Sequence, residues 1–245
     1  MAHLFRVQHD DARATGDELT LGREDSRHIA RVLRLGPGDP VGVFDGRGNE
    51  WAAEILEAGK DAVRVRLGEA CSDPVEAPLE IDLIQGVCRP DRLDWLVAKA
   101  TEVGIHRIQL VDTERADAPR VTDNRLERWR RIAREACKQC GRRRVPEVAS
   151  PLRLKELGPS PEDTLDLVLD GGPGAVTLAT ILAAEAPGRV RLAVGPESGF
   201  SDAERAALEA AGWRRASLGP RTLRTETAGP VATALLLHAW GDFGA

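Results

Sequence analysis

LAVGPESGFSDAERAALEAAGW, residues 192–213, decides the fold class. Leu192, Ala193 and Val194 form an apolar run that stops at Gly195-Pro196-Glu197-Ser198-Gly199, residue types that favour turns. Ser201 followed by Glu204 is a capping box, in which two side chains close the unpaired amides of a helix start, and Gly212 suits the helix end. Strand, turn and helix in that order put the turn at the carboxyl edge of a parallel sheet, where open α/β sheets bind ligands. Gly195 and Gly199 allow backbone to approach a ligand closely. Taken alone, a Gly-Pro-Glu-x-Gly turn is explained equally well by ordinary turn chemistry.

Working outward, apolar strands are predicted over residues 79–87, 107–111, 164–170, 189–195 and 214–219, with helices near 92–103, 124–140, 177–184, 202–211 and 227–240. This alternation predicts an α/β unit with a mostly parallel sheet. Before residue 72 the pattern is one of short strands, at 41–45, 50–55 and from 62, around a turn at 46–49. It suggests a small barrel-like β domain. A helix is predicted over 25–35, with Ile29, Val32 and Leu33 on one face. The polar, proline-bearing stretch 72–78 marks the boundary, giving expected domains of 1–72 and 73–245.

At 245 residues and 42% hydrophobic the chain buries a substantial core. It has no apolar run near the roughly 20 residues that cross a bilayer, and its first residues lack a basic leader before an apolar core. A cytoplasmic protein is expected. Cys137 and Cys140 form a Cys-x-x-Cys, but Cys71 and Cys88 supply no second pair at comparable spacing, so reduced thiols and no metal are expected. The net charge is −5, yet residues 125–144 hold eight arginines and Lys138 against Glu127 and Glu135. Such a patch is either a local footprint for RNA phosphates or a solvated helix face.

A second loop lies in RRASLGPRTLRTETAGPVATALLLHAW, residues 214–240. Its segment from Gly219 to Thr227 is too rich in functional groups for a plain connector. Pro230 belongs near a helix start, where a missing N–H costs least. The regular helix is therefore expected to begin near Gly229, leaving 225–228 as ligand-facing backbone.

The two loops together resemble the cofactor segments of the SPOUT methyltransferases, and specifically the RsmE family, which makes N3-methyluridine in 16S ribosomal RNA. The matching residues are Gly195-Pro196-Glu197 with Gly199, Leu218-Gly219-Pro220-Arg221 and Leu223-Arg224-Thr225-Glu226-Thr227-Ala228. Lys99-Ala100-Thr101-Glu102-Val103-Gly104, Gln139-Cys140-Gly141-Arg142 and Arg144-Val145-Pro146 match as well. His28-Ile29 and Val32-Leu33-Arg34 resemble the family's PUA-like RNA-binding domain, so the likeness spans nearly the whole chain.

The resemblance implies a trefoil-knotted SPOUT domain, S-adenosyl-L-methionine as cofactor, a small ribosomal subunit substrate, and a homodimer with active sites near the interface. It assigns the cofactor to Gly195, Pro196, Glu197 and Gly199 on one side and to Leu218, Gly219, Leu223, Arg224, Thr225 and Thr227 on the other. Uridine N3 must lose its proton, and an arginine stabilises the resulting anion without changing its own charge. Arg224 is the first candidate and Arg221 the second, the alternative being that Arg224 pairs with Glu226 or Glu197 to pin the loops. Glu226 or Glu197 is the candidate general base. Arg6, Arg31, Arg34, Arg142, Arg143 and Arg144 are the expected phosphate contacts.

Where the family commonly has two glycines after Glu197, this chain has Ser198-Gly199, and the serine is expected to crowd the methionine end or hydrogen-bond to it. Trp51, Trp95, Trp129 and Trp213 are candidates to stack a base, against the alternative of core packing. Lys99 and Glu102 are either an exposed pair or, by resemblance, part of an interface or active site. Two other readings stay open: the same fold acting on a transfer RNA base or a ribose 2′-hydroxyl, and a non-catalytic RNA-binding assembly factor.

Overall fold

The computed structural model describes residues 4–59, 61–183 and 186–243. The chain divides into two compact units, one of residues up to Glu76 with Arg134–Val145, the other of Ala77–Ala133 with the chain from Pro146 onward. The expected linear boundary at 72 thus misses the return of Arg134–Val145 to the first unit. Sequence proximity reveals nothing of that return, because it rests on ion pairs between distant residues.

In the first unit, strands β1 (Arg6–Gln8), β2 (Glu18–Thr20), β3 (Pro40–Phe44), β4 (Glu50–Ala58) and β5 (Val63–Ala70) form one sheet in the order β1-β3-β4-β5-β2. β1 runs parallel to β3 and the other pairs are antiparallel. Alternation along β4 and β5 sends Trp51, Ala53, Ile55, Val63, Val65 and Leu67 to the core. The predicted helix over 25–35 is a short α-helix, α1 (Arg23–Arg27), that continues as a π-helical turn from His28 to Leu33. The wider π repeat breaks the 3.6-residue face. Ile29 alone of the three expected apolar positions is buried, while Val32 is 66% exposed and Leu33 is exposed too. Arg34 ends the turn in the left-handed region at φ 57°.

The second unit is built on seven parallel strands: β6 (Glu80–Gly86), β7 (Arg107–Asp112), β8 (Glu147–Arg153), β9 (Thr164–Leu169), β10 (Val176–Thr177), β11 (Arg189–Val194) and β12 (Arg214–Ser217). Their order is β10-β12-β9-β11-β6-β7-β8. The helices are α2 (Pro90–Glu102), α3 (Asp123–Cys140), α4 (Leu178–Leu182), α5 (Asp202–Ala210) and α6 (Thr225–Trp240). α3 is counted in the second unit up to Ala133 and in the first from Arg134. The helix predicted over 177–184 is shorter, and position 184 lies outside the described residues.

Central strands β6, β9 and β11 carry charges within apolar runs. Register places Arg191 between Asp166 and Asp82, and Arg191 Nε donates to Asp166 Oδ1 at 2.7 Å. A buried charge of this kind persists because its partner is buried beside it. Because all seven strands point the same way, the loops following β6, β9, β11 and β12 gather at one edge of the sheet.

Candidate active site

Two glycines shape the junction between the loops after β6 and β11. A Cβ on Gly86 would stand 2.6 Å from both the N and Cδ of Pro196, and one on Gly195 would stand 3.0 Å from Gly199 Cα. Only glycine lets these segments meet. Ser201 and Glu204 form the expected capping box, with Glu204 N–H donating to Ser201 Oγ at 3.1 Å and Ser201 N–H donating to Glu204 Oε2 at 2.8 Å. α5 is thereby anchored directly behind the Gly195–Gly199 loop.

The loop after β12 is tied to the first by a buried hydrogen-bond chain. Gln85 Nε2 donates to Thr225 Oγ1 at 2.9 Å and to Gly86 O at 2.9 Å, and Thr225 Oγ1 donates to Gly195 O at 2.5 Å. The Thr225 side chain is therefore spent behind the loops. The expectation that 225–228 is open ligand-facing backbone is corrected: α6 begins at Thr225 with Arg224 as its N-cap, and the amides of Thr227 and Ala228 both donate to Arg224 O. Pro230 sits inside the helix, one turn later than the sequence suggested. Gly229 approaches Leu83 so closely that a Cβ would lie 3.0 Å from Leu83 Cδ1, and tight helix-to-sheet packing of this kind outweighs the cost of the proline.

Gly199 (φ +69°) and Gly219 (φ +107°) both adopt left-handed backbone, with no atom within 4 Å of where a Cβ would stand. The two loops thus border open space at the sheet edge that side chains would fill. Pro196 is buried, Glu197 exposed, and Leu218 and Leu223 half-buried around that space. Ser198 does not crowd it: its hydroxyl donates to Arg115 O at 2.5 Å.

The charged groups are arranged around Arg92, on the first turn of α2. Arg92 Nη1 lies 3.4 Å from Glu197 Oε1, in the loop after β11, and 3.7 Å from Glu226 Oε2, on the first turn of α6. The Arg89 backbone N–H donates to Glu197 Oε1 at 3.3 Å. Neither glutamate pairs with Arg224, so the alternative in which Arg224 pins the loops is replaced by Arg92 in that place. Arg224 and Arg221 are exposed, and among the described residues no hydrogen bond or ion pair engages the Arg224 side chain. Glu226 Oε2 is buried without a hydrogen-bond partner. Burial, then the Glu197 and Glu226 charges, push the neighbouring Cys88 thiol up to about 12, against the opposing pull of Arg92.

Arg89, Asp91, Arg92, Trp95, Arg224, Glu226 and Thr227 line an open cavity of about 380 Å³. Trp51, Trp129 and Trp213 are core residues, whereas Trp95 is 45% exposed. A larger cavity of about 730 Å³ lies beside α5, lined by Leu154, Leu208 and Trp213 among others, and includes none of the residues expected to hold cofactor, to catalyse or to meet phosphates. Lys99 and Glu102 pair with each other at 2.8 Å.

The arginines expected on phosphates separate into two groups. Arg6 and Arg143 both hold Glu50, through Arg6 Nε to Glu50 Oε1 at 2.7 Å and Arg143 Nε to Glu50 Oε2 at 3.0 Å, and Arg142 holds Glu76 at 2.8 Å. All three guanidinium groups are mostly or fully buried, so as phosphate contacts they are corrected to struts of the first unit. Arg31, Arg34 and Arg144 are exposed. Gln85, Arg92 and Gly86 were missed in the sequence. A lone glutamine before glycine in an apolar strand was the available signal for the first, and nothing local marks Arg92.

Residues 75–237 match the RNA methyltransferase domain model and residues 21–68 the RNA methyltransferase PUA domain model. The chain is 34% identical over 222 residues to the ribosomal RNA small subunit methyltransferase E of Synechocystis, covering 88% of this chain and 71% of that one. It is 30% identical to the protein of the same name from Mycobacterium bovis, covering 95% and 90%. The crystal structure of ribosomal RNA small subunit methyltransferase E from Neisseria gonorrhoeae bound to S-adenosyl methionine superposes with a TM-score of 0.90 at 32% identity, covering 98% of this chain and 100% of that one. On the matched domain and these relatives together, the chain belongs to the ribosomal RNA small subunit methyltransferase E family of RNA methyltransferases.

Proposed function

We propose that this protein methylates N3 of a uridine in 16S ribosomal RNA of the small ribosomal subunit, using S-adenosylmethionine and acting in the cytoplasm as a homodimer. The observation that carries this reading is the open edge between Gly195–Gly199 and Leu218–Thr225, held in register by the Thr225 hydroxyl. Gly195, Pro196, Glu197 and Gly199 on one side and Leu218, Gly219 and Leu223 on the other would hold the cofactor, which supplies an electrophilic methyl group when bound. The open space beside Gly199 and Gly219 leaves room for such a group, and the Neisseria relative was crystallised with it.

The protein's own work is positioning and charge. The proton on uridine N3 must leave before or as the nitrogen reacts, and the resulting charge spreads over the flanking carbonyls. Arg224, exposed at the α6 N-cap, stabilises that charge without itself changing protonation, and Arg221 is its neighbour on the same loop. Arg31, Arg34 and Arg144 meet phosphates and position the RNA. Val231 and Leu235, 37% and 40% exposed one turn apart on α6, support the homodimer as apolar surface for a second copy.

The test is transfer of labelled methyl to small subunits lacking the modification, followed by nucleoside analysis, with Arg224→Ala alongside. Wild-type protein is expected to yield N3-methyluridine at one site. The variant should lose about a hundredfold in kcat at little cost to cofactor affinity. A methylated ribose, or no transfer with cofactor binding retained, would overturn the reading.

A further inference from the structure

We propose that Arg92, Trp95 and Glu226 form the pocket that takes the extruded target base, with Trp95 as the stacking face, Arg92 as the donor to the base carbonyls and Glu226 as the acceptor of the N3 proton. This rests on the uridine N3 reading above and goes beyond it by assigning the base-recognition residues.

Three observations converge. Arg92 is a largely buried guanidinium held by two carboxylates at 3.4 and 3.7 Å, and among the described residues its side chain makes no hydrogen bond. It is attracted to Glu197 and Glu226, but its fork of N–H donors is unspent. Glu226 Oε2 is likewise out of water without a hydrogen-bond donor, a costly condition that a ligand N–H would relieve. Trp95, three residues after Arg92 and so on the same face of α2, is the one of the four candidate tryptophans that stands in the open, and it lines the same cavity as Arg92, Arg224 and Glu226.

A base that must leave its stack to be modified is read by stacking and by contacts to its Watson–Crick edge. Uracil presents there an N–H between two carbonyl oxygens. That pattern complements a carboxylate beside a guanidinium: Glu226 accepts N3–H while Arg92 donates to an adjacent carbonyl. When the N3–H bond breaks, its electron pair stays on N3 and the proton passes to Glu226. Arg92 and Arg224 then face the negative charge spread over N3 and the carbonyls. Neutral cytosine has no N3–H and turns a lone pair at that position towards Glu226, with no proton to give up, so the trio also selects the base. Cys88, its thiol held protonated, adds no competing charge.

The experiment compares wild type with Trp95→Ala, Trp95→Phe, Arg92→Gln, Arg92→Lys and Glu226→Gln, measuring kcat and KM on undermethylated small subunits, RNA affinity without turnover, cofactor affinity, and sedimentation. Trp95→Ala should raise KM and weaken RNA binding by about tenfold or more, with Trp95→Phe restoring most of it. Arg92→Gln should lower kcat about a hundredfold with partial rescue by lysine, and Glu226→Gln should lower kcat while leaving RNA affinity near wild type. All variants should keep cofactor affinity within about threefold. If wild type makes no N3-methyluridine, the parent reading fails. If it does, but Trp95→Ala leaves KM and RNA affinity unchanged, or changes only sedimentation, the base pocket is refuted. Equal loss of cofactor and RNA binding in Arg92→Gln and Glu226→Gln would overturn the assignment in favour of a structural clamp.

Discussion

Replacing Thr225 by valine tests whether one hydroxyl couples the two loops. The substitution keeps the branched shape and removes an atom that accepts from Gln85 Nε2 and donates to Gly195 O. Gln85 retains its bond to Gly86 O, so the variant leaves one amide N–H and one carbonyl short of a partner in a buried setting. Each such group costs about 1–3 kcal/mol, for a total of about 2–6 kcal/mol. For a unit of this size that corresponds to a fall in Tm of about 4–24 °C. Because Gly195 opens one loop and Thr225 closes the other, their separation should also weaken cofactor binding about tenfold, equivalent to about 1.4 kcal/mol. Thermal unfolding followed by circular dichroism gives the first quantity and calorimetric titration with S-adenosylmethionine the second. Thr225→Ser, which keeps the hydroxyl, should stay within about 1 kcal/mol of wild type. A valine variant that melts within about 2 °C of wild type and binds cofactor normally would refute the coupling. A serine variant as damaged as the valine one would move the effect to packing of the methyl group.

Glu50→Gln should destabilise the first unit by about 3–5 kcal/mol in urea unfolding, because it leaves Arg6 and Arg143 without their shared counter-charge; a loss under about 1 kcal/mol would mean that these pairs are dispensable. Arg31→Ala with Arg34→Ala should lower the slope of log affinity against log salt by about 1.4–1.8 at unchanged stability, whereas Arg142→Ala with Arg143→Ala should cost stability first. The reverse pattern would return the buried pair to the RNA surface. Cys71 is exposed and should react with a maleimide in the native protein, while buried Cys88 and Cys137 should react only on unfolding. Their folded thiols are raised from 9.0 to about 12, so the native state holds protons that the unfolded state releases. Their stabilising contribution is complete below pH 9 and should be lost as pH climbs towards 12, which urea midpoints across that window will read.

Much of the second unit was legible because local chemistry and tertiary role agree there. The apolar run at 192–194, the Ser201–Glu204 box and Gly212 each specify their own conformation, and the strand and helix they delimit stand where periodicity put them. Strands β1, β2, β8 and β10 were not legible: two to seven residues long, they are strands by virtue of the neighbours they pair with. The start of α6 lies a turn before the position Pro230 indicates, because proline is a local signal for a helix start and close packing of Gly229 on Leu83 overrides it.

By itself, the sequence determined the α/β class, the two glycine-bearing loops and the part played by Gly195, since each depends on residues near one another in the chain. Only the tertiary structure decided which charges are available. Arg142 and Arg143 look identical to Arg144 in a basic run, and they differ because Glu76 and Glu50, some 66 and 93 residues away, neutralise the first two. Arg92 looks like any surface residue of a helix start until folding brings Glu197 and Glu226 to it across more than 100 positions. Coulomb attraction and desolvation act through space, and the distances that set them exist only once the sheet has brought its loops to one edge.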